Sequence, residues 1–146
     1  MDNLIIDSGI KEYQINGKGI LRFNPSDPNV YARYVEATER IRAVEQGMAE
    51  KAKNLPEASA GEEALRIMHE ADQRMKAILN EIFGCGNDFD QLLENVNLMA
   101  VASNGQRVIS NLLNALQPIM EAGVKTCVQQ EVADAKLNRE QRRAMQ

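Results

Sequence analysis

The segment from Asn16 to Leu55 most limits what this chain can fold into, because it forces a hairpin to run directly into a long helix. Asn16-Gly17 supplies the positive-φ pair of a tight type I′ turn, between short strands expected at Glu12 to Ile15 and Lys18 to Phe23. Pro25 and Pro28 then bracket Ser26 and Asp27, which can cap a helix whose first residue is Pro28. Leu4 to Ile6 reads as a third short strand. A two-stranded hairpin is marginal in water, so it must lie on helices or pair its edge with another chain.

From Pro28 to about Asn54 the apolar positions Val30, Tyr34, Ala37, Ile41, Val44 and Met48 alternate by four and three, a narrow stripe at heptad spacing. Leu55-Pro56 stops that helix. Ser59 and Glu62 match a capping box for a second helix, reaching Phe83, in which Ala64, Met68, Ala71, Met75, Ile78 and Ile82 repeat the rhythm. Two such stripes joined by a short link predict an antiparallel helix pair. A short helix from Phe89 to about Val96 follows Gly84 and Gly86. A last helix begins at Gln106 after the Asn104-Gly105 turn, with Ile109, Leu112, Leu113, Leu116, Ile119, Met120, Val124 and Cys127 on one face. Pro118 lies inside it and predicts a kink or break.

Aromatic residues make up 4% of the 146-residue chain and Trp is absent, so the core must come from aliphatic side chains and Met, the palette of packed helices. The expected fold is mainly α, with an N-terminal β-hairpin at about 10–24, an antiparallel helix pair and a kinked C-terminal helix. Residues 1–135 read as a single domain. Residues 136–146 read as a basic, disordered tail, since they carry Lys136, Arg139, Arg142 and Arg143 against Glu140, on a chain of net charge −4.

That mild acidity supplies no general field for nucleic acid or an anionic membrane, and no run approaches a membrane span. The N-terminus shows no leader-like pattern, and two cysteines are too few for a secreted disulfide framework. A reducing cytoplasm is expected. No enzymatic activity, cofactor or metal is expected either: His69 is the sole histidine and reads as a helix-surface residue. Cys85 reads as a turn residue and Cys127 as core packing, while Glu62, Glu63, Glu70 and Asp72 lie off the apolar stripe and read as a solvated face.

The order of motifs resembles the tail assembly chaperones of long-tailed bacteriophages. A stretch close to RFNPSDPN leading into a long charged helix is one part of the likeness. Phe83-Gly84, Phe89, Asn104-Gly105, Leu113, Ala115, Leu116, Pro118 and Ile119 follow in that family's order, and the closing NREQRRAM is similar to the basic tails of several members. From about Pro56 to Asn80 the match is in character only. The resemblance implies a protein that binds the tape measure protein, a very long helical polypeptide, and keeps it soluble in the host cytoplasm while tail tube subunits assemble around it. It implies absence from the mature virion, and a longer frameshifted form that recruits the tail tube protein. A homo-oligomer is expected from the hairpin edge and the stripes, with no nucleic-acid or membrane partner. Flexible thioethers suit a surface that receives many different client helices, so Tyr34, Met48, Met68 and Met75, with Arg139, Arg142 and Arg143 of the tail, are the candidate client-binding residues. The competing readings are an oligomeric virion component, such as a head-tail connector or tail protein, and a DNA-packaging adaptor.

Overall fold

In the computed structural model, residues 1–84 and 86–145 are described, apart from the side chains of Ser59 and Ala60. Strands β1 (Lys11–Ile15) and β2 (Gly19–Phe23) form an antiparallel hairpin in which Tyr13 faces Leu21. Asn16 and Gly17 have φ of 52° and 75°, and Lys18 N–H donates to the Ile15 carbonyl at 3.0 Å, as the sequence requires of the turn. The outer edge of β2 is closed by a side chain. Asn87, itself buried, accepts from Arg22 N–H at 2.9 Å and donates to the Arg22 carbonyl at 2.8 Å, imitating a third strand. No strand forms at Leu4–Ile6: residues 1–10 lack regular structure, because no partner strand lies beside them in this chain.

Helix α1 (Pro28–Lys53) starts as expected, with Asp27 accepting from Asn29 N–H at 2.9 Å and Pro28 in the first turn. A single 3-10 turn, Glu57–Ser59, leads into α2 (Ala60–Phe83). The expected Ser59 capping interaction lies outside the described side chains. The two helices run antiparallel: Arg33 Nε reaches the Ile82 carbonyl at 3.0 Å, Arg40 pairs with Glu81 at 2.6 Å, and Met48 shares a small pocket with Ile67 and Ala71. Their stripes meet as the heptad spacing implies, with Ile41 and Met75 among the most completely buried side chains.

Helix α3 is a single turn (Phe89–Leu92), shorter than expected, because Glu94 and Asn95 adopt φ of 55° and 64° and end it. Helix α4 (Val108–Ala144) spans 37 residues and begins two residues later than expected, with Gln106 still in the turn and Arg107 at the cap position. It runs through the exposed Pro118 without a break. Its first half is held against the body by Ile109, Leu116 and Met120. At Gly123 its backbone lies directly on the Pro25–Ser26 turn. The tail expected to be disordered continues α4 as exposed helix to Ala144, in keeping with the strong helix formers Ala, Lys, Leu, Gln, Glu and Arg that dominate it.

A ladder of rings ties hairpin to helices: Tyr13 on Phe23 at 5.2 Å, Phe23 on Phe83 at 4.6 Å, and Phe83 on Phe89 at 5.6 Å. Beneath it lies a polar element that the stripe analysis placed wrongly. Asp72 is buried, not solvated. Its Oδ2 pairs with Lys76 Nζ at 3.1 Å and its Oδ1 accepts from Leu98 N–H at 2.8 Å, while Lys76 also reaches Asp90 at 2.6 Å. Through these bonds α2 fixes α3 and the segment that leads to α4, which is why a carboxylate off the stripe is drawn inward.

Candidate functional site

The candidate client-binding residues fall on separate parts of the molecule. Tyr34, half-buried, lines an open groove of about 490 Å³ between α1 and α4, with Tyr31, Val35, Leu113, Gln117 and Glu121 among its walls. Burial, and then the charge of Glu121 and the neighbouring Tyr31, raise its phenol above the usual tyrosine range, so it stays a neutral donor and acceptor at physiological pH. Its walls are mixed: Val35 and Leu113 give apolar surface, Tyr31, Arg42, Glu45, Gln117 and Glu121 give polar surface, and Ile41 and Met120 behind them are almost wholly buried. That pattern suits anchor side chains of a docked amphipathic helix.

Met48 lies fourteen residues along α1 from Tyr34, about 21 Å at 1.5 Å per residue. It and Met68 are half-buried and packed on the core, Met48 beside Ile67 and Ala71 of α2. Met75, with 0% exposure, is wholly inside and can touch no client without unfolding; its place on the same stripe as Met68 hid this difference. Arg139, Arg142 and Arg143 are exposed on the distal turns of α4. Measured along α4, Arg139 lies nineteen residues beyond Met120, on the order of 28 Å from the groove. One site does not unite them.

One further surface escaped the sequence reading and another was named there only as a hairpin edge. Val128, Val132 and Leu137 leave apolar side chains 55%, 48% and 54% exposed on the distal half of α4; the i, i+4 continuation of Val124 through Val128 to Val132 was the available signal. A second groove, also about 490 Å³, runs between β1 and α4, with Tyr13, Ile15, Leu112 and Ile119 in its walls. A hairpin edge was the signal there.

His69 is exposed, and Cys127 is half-exposed rather than core, while Cys85 lies outside the described residues. Among the described residues no group of three or more His, Cys, Asp or Glu is arranged to hold a metal ion, and no helix is long and apolar enough to cross a membrane. No family model, curated protein or solved structure matches this chain.

Proposed function

We propose that the chain is a phage tail assembly chaperone that binds amphipathic helical segments of the tape measure protein and keeps that client soluble in the host cytoplasm during tail tube assembly. The observation that carries the reading is the open groove between α1 and α4, whose walls mix apolar Val35 and Leu113 with tyrosines and charged groups. Rigid amphipathic rings among polar groups fit reversible capture of helices better than permanent burial. The choice of the tape measure protein as client rests on the resemblance in motif order. In this proposal Tyr34 is a groove anchor, and Met48 and Met68 form a second, shallower contact. Met75 acts only as core. Arg139, Arg142 and Arg143 meet acidic client surface, and the chain leaves before the virion is complete. A longer frameshifted form recruits the tail tube protein.

Co-expression tests it. The cognate tape measure protein is expected to be insoluble alone, through its unburied apolar stripes, and soluble with this chain, which co-purifies with it and is missing from finished particles by mass spectrometry. Equal solubility alone, with no complex surviving pull-down at low salt, would contradict the proposal. Recovery of the chain in purified particles would favour an oligomeric virion component instead.

A further inference from the structure

The hairpin has one closed edge and one open edge. Because Arg22 turns its backbone groups outward to Asn87, its cross-strand partner Glu12 turns its own toward the opposite side, as does Gln14 two residues on. Among the described residues no backbone group pairs with them there. Alongside this open edge lies the apolar groove whose walls include Tyr13, Ile15, Leu112 and Ile119. A second cavity that shares Tyr13 and Ile119 with it is lined by Lys11, Pro25, Pro118 and Ala122. Its surroundings are thus a bare strand edge on one side and an apolar helix face on the other.

The same chain carries a segment with the complementary need. Leu4, Ile5 and Ile6 are 83%, 87% and 73% exposed on unpaired backbone. We propose that Leu4–Ile6 of one copy adds as a strand to the open β1 edge of a second copy, with Leu4 and Ile6 seated in the groove between β1 and α4. The arm does not fill its own groove because it leaves the hairpin on the other side: the Ser8 carbonyl accepts from Asn24 Nδ2 at 2.9 Å, and Asn24 follows β2. Gly9 makes this turn at φ +72° and lies so near Asn24 that a Cβ would come within 2.7 Å of its amide nitrogen.

Area decides between one-way and reciprocal docking. Ile5 alternates to the outer face of the added strand, so two seated side chains at roughly 100 Å² each, matched by an equal area of groove, bury about 400 Å² per arm. That is the range of a lattice contact, whereas two arms exchanged about a two-fold axis reach about 800 Å² of side-chain contact, to which the backbone of both added strands and their hydrogen bonds to Glu12 and Gln14 add. Exchanged about a two-fold axis, the one arm and one open edge of each copy are both used, so the pair closes as a dimer.

The test uses the full chain and its Leu4→Asp/Ile6→Asp variant. Since the arm is exposed, the variant is expected to keep its far-ultraviolet spectrum and melting temperature at low concentration. Sedimentation across micromolar concentrations is expected to show a dimer for the native chain and association at least roughly 100-fold weaker for the variant. Hydrogen exchange is expected to show the Glu12 and Gln14 amides protected in the native dimer and fast in the variant. Self-association unchanged by the substitutions overturns the proposal. So does protection of those amides in a monomer, which would mean that each arm folds back on its own edge, or fast exchange in an intact dimer. The α1/α4 groove takes no part in these readings, so failure here leaves the client-binding proposal standing and the reverse also holds.

Discussion

Gly123→Ala is expected to destabilise the protein by about 2–3 kcal/mol, although alanine is the better helix former by about 1 kcal/mol. The reason is contact, not propensity. A Cβ at Gly123 would overlap the Pro25 carbonyl oxygen and carbon, so α4 must lift off the turn that connects the hairpin to α1. The obstacle is backbone, which cannot swing aside as a side-chain tip would. Gly47 in α1 is the control, since nothing lies within 4 Å of its added Cβ, and Gly47→Ala is expected to stabilise by roughly 0.5–1 kcal/mol. Thermal unfolding of both variants reads the difference as opposite shifts, downward by several degrees for Gly123→Ala. Shifts of the same sign would show that α4 does not rest on Pro25.

Lys76→Met is expected to cost about 3–5 kcal/mol, a large part of the stability of a domain this size. The ammonium and the Asp72 carboxylate are each only 5% exposed, so methionine preserves the volume but leaves a buried anion facing an apolar side chain. Asp90 is 45% exposed and can turn to water, so Asp90→Asn should cost under about 1 kcal/mol. Denaturant unfolding of the two variants measures the contrast. A loss below about 1 kcal/mol for Lys76→Met would mean that water, not Lys76, balances Asp72.

These two positions also show what a sequence conceals. The hairpin, its turn and the antiparallel pair were legible because each is written locally: Asn16-Gly17 in the turn, Asp27-Pro28 at the cap, the four-three spacing from Val30 to Ile82. Asp72 read as part of a solvated face, since the Leu98 amide that with Lys76 draws it inward, and the Asp90 that shares Lys76, are distant in sequence. Gly123 is a poor helix residue whose reason is a turn nearly a hundred positions earlier. The candidate site suffered in the same way. A stripe tells which residues leave water but not which of them a neighbour then covers, so Met68 and Met75 were indistinguishable until α1 and α3 were placed around α2. Leu4–Ile6 read as a strand from its residues alone, and the chain holds no partner for it.

The central claim is that amphipathic helices of the tape measure protein dock on the α1/α4 groove and on the outer contact at Met48 and Met68. Its most direct test is titration of the methionine-methyl-labelled protein with a helical segment of that client, followed by nuclear magnetic resonance. Saturable shifts are expected at Met48 and Met68, and at the buried Met120, which lines the groove from beneath. The Met75 methyl is expected to stay unmoved, and the Met120 shift to be lost in Tyr34→Ala. Methyl signals that stay in place at client concentrations of hundreds of micromolar, or a Met75 that moves as far as Met48, would contradict the claim.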